Sequence, residues 1–261
     1  MLLLKGDCLE VMKNLPDKSI DCFVCDLPYG CLTGGYERPS WKGTSLETRI
    51  KTLTAEKCAW DIPIDLNAFW VQVKRLCKDD HTPVLMFCTT KFGYELIKSN
   101  EEWFRYDLVW DKGHGVSFLL ANKMPMRSHE LIYVFSKKGA NYNRIDIEGD
   151  FPKAIATNPK RTIQGEVLPN KLQDNTGKRC VLSVVPISQY KSRSKGQHPT
   201  QKPDDIYEWL ITRYSKEGDT ILDPTAGSFA SCFTAERLGR NAIGMEMDEA
   251  FFNKAKSRVE E

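Results

Sequence analysis

Ile20-Asp21-Cys22-Phe23-Val24-Cys25-Asp26-Leu27-Pro28-Tyr29-Gly30 is the stretch on which the fold turns. Residues 20–25 are mostly apolar, with the length and composition of a strand buried on both faces of a parallel sheet. The strand is then stopped by a carboxylate, a proline, an aromatic ring and a glycine, and a long polar loop begins. Open α/β sheets house their chemistry at the carboxyl ends of strands. Asp26, Leu27, Pro28 and Tyr29 are therefore the first candidate functional residues, although such a turn could serve many chemistries.

Strand and helix patterns alternate outward from this point. Residues 2–4, 83–88, 106–110, 131–135, 220–222 and 242–245 read as strands. Residues 9–15, 69–77, 92–98, 204–214, 229–238 and 250–259 carry helical spacing, and residues 112–126 read as a loop. Alternation at both ends of the chain predicts an α/β fold with a mostly parallel sheet. Residues 31–60, with Gly34-Gly35, Pro39 and Gly43, form a loop long enough to be functional or mobile.

The 261 residues carry a formal net charge of +2, which says little about partners. The distribution says more: residues 151–202 hold ten Lys or Arg against Glu166 and Asp174. This stretch is either a solvated flap or the electrostatic footprint of a polyanion. Nine cysteines without a regular framework suit a reducing compartment. Cys22 and Cys25 are spaced C-x2-C, but within a strand they point to opposite faces, so no metal site is expected. The opening apolar residues 1–4 are too short for a signal or membrane segment, and a cytosolic location is expected.

Two further strand ends narrow the chemistry. Asp223-Pro224-Thr225-Ala226-Gly227-Ser228 joins a strand to a helix through a glycine turn, without the ending of a phosphate-binding loop. It is either a plain βα turn or a backbone cradle at a helix start. The next strand ends in Glu246-Met247-Asp248. An acid about 20 residues past a glycine turn is where nucleoside-binding α/β folds grip a ribose. Asp7 ends the opening strand and reads either as a helix N-cap or as an acceptor for an exocyclic amine of the same nucleoside.

Together these segments strongly resemble the S-adenosylmethionine-dependent amino-methyltransferases of DNA, in the permuted group whose catalytic motif comes first. Asp26-Leu27-Pro28-Tyr29 is similar to their catalytic motif, residues 223–228 to their cofactor loop, and His198-Pro199-Thr200-Gln201-Lys202-Pro203 to the element upstream of it. Residues 108–112 and 128–135 are similar to their later core strands. Leu27 replaces the usual first proline, and Phe229 stands where many members carry glycine, which predicts a bulkier wall for the methionine pocket.

The resemblance implies a Rossmann-like fold with a mostly parallel seven-stranded sheet, helices on both faces and an inserted target-recognition segment. Residues 1–140 would be the catalytic half, 141–197 the insertion and 198–261 the cofactor half. It implies that Asp26 and the Leu27 carbonyl accept hydrogen bonds from a target amine, that Pro28 aims the turn and that Tyr29 stacks on the extruded base. Asp7, Cys8, Thr200, Lys202, Asp223, Pro224, Thr225, Gly227, Ser228, Glu246 and Met247 would line the cofactor. Lys202 reads either as a partner of the methionine carboxylate or as a solvent lysine flanking a helix. His129-Glu130 reads as structural support or a cofactor-side loop.

Asp at position 26 favours adenine N6 over cytosine N4, whose enzymes usually show serine there, and the chain has no Pro-Cys dipeptide of C5-cytosine enzymes. Double-stranded DNA is the implied substrate. The expected DNA contacts are Arg38, Trp41 and Lys42 in the long loop and Arg161, Arg179, Lys191, Arg193 and Lys195 in the basic stretch. Trp41 could equally be an inert surface aromatic. A homodimer and a cognate restriction endonuclease are left open as partners.

Overall fold

The central strands bury every residue: Cys22–Cys25 and Val84–Cys88 have no exposed position. Buried on both faces, they must lie in the middle of a sheet covered on each side. The computed structural model describes residues 1–30, 61–116, 121–148, 178–189 and 201–260. In chain order these form β1 (Leu2–Lys5), α1 (Cys8–Met12), β2 (Cys22–Cys25), α2 (Leu66–Leu76), β3 (Val84–Cys88), α3 (Thr90–Ser99), β4 (Phe104–Val116) and β5 (Arg127–Phe135). There follow β6 (Ile147–Glu148), β7 (Lys178–Arg179), β8 (Val184–Pro186), α4 (Asp204–Tyr214), β9 (Thr220–Asp223), α5 (Ala230–Arg237), β10 (Asn241–Glu246) and α6 (Glu249–Glu260).

The backbone gathers into two compact units, Met1–Asn143 with Ser183–Glu261, and Arg144–Leu182. The larger is an eight-stranded sheet in the order β1-β10-β9-β2-β3-β5-β4-β8. All neighbours are parallel except at β5, which runs against both β3 and β4. In the smaller unit β6 and β7 pair antiparallel, Ile147 opposite Arg179 and Glu148 opposite Lys178.

Alternation sorts the core into two layers. Cys22, Val24, Leu85, Phe87, Leu108, Trp110, Ile132 and Val134 pack under α4 and α5. Phe23, Cys25, Val84, Met86, Cys88 and Phe135 pack under α1, α2 and α3. Cys22 and Cys25 thus sit in opposite layers, as a two-residue period requires. Helix α2 shows why such segments become helices. Asp65 caps it by accepting from the Asn67 and Ala68 amides (2.9 and 3.2 Å), and Phe69, Trp70, Val73 and Leu76 form its buried stripe.

β2 and β9 lie side by side, yet the helix after β2 covers one face and the helix after β9 the other. That is the topological switch point, where the crossovers diverge and leave a crevice at the carboxyl ends of the strands.

Three expectations need correction. β4 extends through Val116 and β5 begins at Arg127, so residues 112–116 of the expected loop 112–126 are strand and the second strand starts four residues before the expected 131. The pairing persists past a register shift between Asp111 and Val116, which the mixed polarity of this segment conceals. The sheet has an eighth strand, because β8 pairs with the outer edge of β4 through Val109–Val184 to Asp111–Pro186. That strand falls within residues 141–197, the stretch read as insertion. Finally, Phe229 is not helical: it precedes α5 with φ 58°.

Candidate active site

A cavity of about 770 Å³ opens at the carboxyl ends of β1, β2, β9 and β10. This volume lies within the usual range of small-molecule sites. Gly6 and Asp7 follow β1, Asp26 and Pro28 follow β2, Pro224 and Thr225 follow β9, and Glu246 with Met247 close β10. All of these line it.

Asp26 is fixed at both carboxylate oxygens. Oδ1 accepts from the Tyr29 hydroxyl at 2.8 Å, and Oδ2 from the Lys202 ammonium at 2.6 Å. Its backbone carbonyl accepts from the Thr225 hydroxyl at 3.1 Å, a bond that bridges the switch-point crevice. Burial, then the Asp26 and Glu130 carboxylates, push the Tyr29 hydroxyl well above its usual range, so Tyr29 stays a donor. One face of its ring stacks on Phe92, centroids 5.0 Å apart. Leu27 turns its side chain into the α1–α3 core.

Lys202 corrects one of its two sequence readings, the solvent lysine. It is buried, not a solvent lysine, and its ammonium is engaged by Asp26 with Glu130 Oε2 3.5 Å away. Burial works against its charge, but the two carboxylates outweigh that and hold Lys202 above the ordinary lysine range. The other Glu130 oxygen pairs with Lys112, itself buried. Burial penalises the Glu130 charge, yet Lys202 and Lys112 keep the carboxyl below its usual range. Glu130 does not line the cavity and meets it only through Lys202.

At the other end of the cavity, backbone amides replace side-chain cations. Glu246 Oε2 accepts from the Gly227 amide at 2.8 Å and Oε1 from the Asp248 amide at 2.7 Å. Burial nevertheless raises its carboxyl above the usual range, with these amides opposing. Gly227 takes φ 53°, a conformation that favours glycine. β1 does neighbour β10, the arrangement that brings Asp7 to the same cavity, and Asp7 also caps α1 by accepting from Leu9 at 2.8 Å. Burial pushes the Cys8 thiol beside it up to about 12.

Asp7, Cys8, Lys202, Pro224, Thr225, Ser228, Glu246 and Met247 line the cavity, whereas Asp223 and Gly227 do not. Asp223 holds the turn, accepting from the Thr225 amide at 3.1 Å and from the Ser231 hydroxyl. Burial pushes its carboxyl up to about 7, opposed by those two bonds and reinforced by Asp26 and Glu246. Phe229 does not narrow the cavity. Its ring is fully buried in the core, in the space that Gly244 leaves, where a Cβ would come within 2.6 Å of it.

Thr200, Arg38, Trp41, Lys42, Arg161, Lys191, Arg193 and Lys195 lie outside the described residues. Arg179 is on β7, in the smaller unit. The sequence reading missed Phe92, Lys112 and the wall formed by Pro63, Ile64 and Tyr207. It also missed buried Asp61, which accepts from the Gly30 amide at 2.8 Å and so ties together the two ends of the 31–60 loop. No helix among the described residues is long and apolar enough to cross a membrane.

The fold is that of the Rossmann-like methyltransferases. It matches the PvuII DNA methyltransferase (cytosine-N4-specific) with a TM-score of 0.64 at 15% identity, over 98% of this chain and 85% of that one. It matches the M1.HpyAVI–SAM complex with a TM-score of 0.57 at 17% identity, over 99% and 98%. Residues 20–257 match the DNA methylase family of N6 and N4 enzymes, and the chain belongs to that family. A curated relative, Type II methyltransferase M.HinfI of Haemophilus influenzae, is 26% identical over 99% of this chain and 68% of its own length.

Proposed function

We propose that this DNA methyltransferase transfers the methyl group of S-adenosylmethionine to the exocyclic N6 amine of adenine in duplex DNA. The observation that carries the reading is Asp26, a carboxylate at the switch point, facing a nucleoside-sized cavity and fixed at both oxygens.

The cavity suits that cofactor. Asp7, Asp26, Asp65, Glu246, Asp248 and Glu249 line it against Lys202 as its one basic lining residue among those described, which favours a ligand of net positive charge. Both Glu246 oxygens keep a lone pair beyond the amide bonds they accept, enough for the two hydroxyls of a ribose. Phe251 and Met247 supply an apolar wall for a purine ring. When bound, the cofactor supplies an electrophilic methyl on a sulfonium.

The chain has to supply position and a polar acceptor. An exocyclic amine is a weak nucleophile because its lone pair is delocalised into the ring. Accepting its N–H at Asp26, with the Leu27 carbonyl as second acceptor, localises that pair on nitrogen. The turn through Pro28 aims both acceptors, and positioning dominates the rate. The extruded base would stack on Tyr29, on the face of the ring opposite Phe92. Asp at position 26 favours adenine within this family.

The test is methylation of duplex DNA followed by nucleoside analysis. N6-methyladenine is expected. N4-methylcytosine, the chemistry named for the PvuII enzyme, would overturn the choice of base while leaving the site intact. Arg179 and the basic residues outside the described set are proposed DNA contacts, and a companion endonuclease is proposed from the type II naming of the relative.

A further inference from the structure

The core layer under α4 and α5 ends in charge. Along β2 its inward column runs Cys22, Val24 and next Asp26; along β4 it runs Leu108, Trp110 and Lys112; along β5 it runs Val134, Ile132 and Glu130. A two-residue period thus aims three charged side chains into the layer just past its apolar floor. Lys202 enters from the segment ahead of α4 and completes an alternating row, Lys112–Glu130–Lys202–Asp26. Lys112 lies over the Trp110 ring at 5.1 Å and Lys202 over Phe87 at 5.0 Å, so aromatic faces set the ammonium positions.

Asp26 and Lys202 line the cavity, whereas Glu130 and Lys112 do not. The outer pair therefore acts through Lys202. Lys202 sits 2.6 Å from Asp26 and 3.5 Å from Glu130, an unequal division between two carboxylates. Lys112 accounts for the inequality: it neutralises Glu130, which would otherwise draw the ammonium away from Asp26.

We propose that Glu130 and Lys112 are positioning residues for methyl transfer, holding the Lys202 ammonium on Oδ2 of Asp26 so that the carboxylate keeps a fixed orientation towards the target amine. With Lys202 on one oxygen and Tyr29 on the other, about two of the four lone-pair sites of an ionised carboxylate remain for the amine. A similar ion row built only for stability is not favoured, since apolar side chains of the same volume do as well.

The inference rests on Asp26 as the acceptor of the amine. The experiment measures kcat for duplex DNA and the dissociation constant of S-adenosylhomocysteine for the full chain and its K112M, K112R and E130Q variants, with D26A as control. K112M should lose about tenfold in kcat, E130Q more, and K112R should recover most of the loss, while the dissociation constant moves by less than about twofold. If K112M does not fold, K112Q replaces it, since it can still hydrogen-bond Glu130 without the charge. A folded K112M or K112Q with wild-type kcat, or a loss of S-adenosylhomocysteine affinity matching the loss of kcat, overturns the inference. D26A separates the two levels. An inert D26A beside a fully active K112M sinks only the positioning role, whereas an active D26A sinks the reading of the site itself.

Discussion

The two ends of the cavity hold their carboxylates by different means. Asp26 is bound by a lysine 176 residues away, and that lysine is balanced by Glu130 and Lys112 from two other strands. Glu246 is bound by backbone amides 19 and 2 residues away, and Asp7 by an amide two residues away. The first arrangement is side-chain electrostatics assembled across the sheet; the second is turn geometry carried by local backbone. A carboxylate that must receive a transient target needs its orientation set by charges that do not occupy all its lone pairs. A carboxylate that grips a cofactor can be set by the loop that forms the pocket.

The sharpest way to break this contrast is D26A. Methyl transfer should fall by about a hundredfold or more while S-adenosylhomocysteine affinity stays within about twofold. Equal losses in turnover and affinity would mean that the two ends are one site. K202M comes next, because it leaves the Asp26 carboxylate with the Tyr29 hydroxyl but no cation, next to a Glu130 that keeps Lys112, and about 3–5 kcal/mol of stability should vanish in denaturant titration. Lys202 is held above its ordinary range, so its stabilisation is complete below the unfolded lysine value of about 10.4 and is lost only as pH rises past its folded one. The difference between wild type and K202M should therefore be flat across neutral pH.

E246A tests the opposite end. Cofactor affinity should weaken by about tenfold, roughly 1.4 kcal/mol, with kcat at saturation little changed. D223N tests the wall between them. With its carboxyl raised to about 7, Asp223 contributes stability that is fully present below the unfolded value of about 3.9 and lost as pH rises through about 7. Unfolding measured across that window should show D223N gaining on wild type as pH rises; a constant difference would remove the buried-acid account. L27P should have the smallest effect on turnover, within about threefold, because the proposed role uses the carbonyl. Its buried side chain makes about 1–2 kcal/mol of lost stability the expected penalty, read from the denaturation midpoint.

Much of the Glu246 end was legible in the chain. A strand, a glycine turn, a helix and an acid at the next strand end are each local patterns, and Gly227, Glu246 and Asp7 fall where those patterns put them. The Asp26 end was legible only in its carboxylate. Lys202 read as a cofactor contact or a solvent lysine because nothing in its neighbourhood shows that β2 and β5 will bring two carboxylates to it. Phe229 read as a pocket wall because neither its left-handed backbone nor the gap at Gly244, which together send the ring into the core, is visible in the local sequence. β8 escaped notice because a three-residue edge strand has too few positions to show a period.

Alternation along the strands, dictated by covalent geometry with every second side chain on one face, is written in the chain itself, and so are the acids that end the strands. Family membership follows from the same motifs. Which charges meet depends on the order in which strands lie side by side, and that order is set by burial of both sheet faces over separations no local pattern spans. The row Lys112–Glu130–Lys202–Asp26 exists because the sheet orders β2, β3, β5 and β4 side by side and lays the segment before α4 across them.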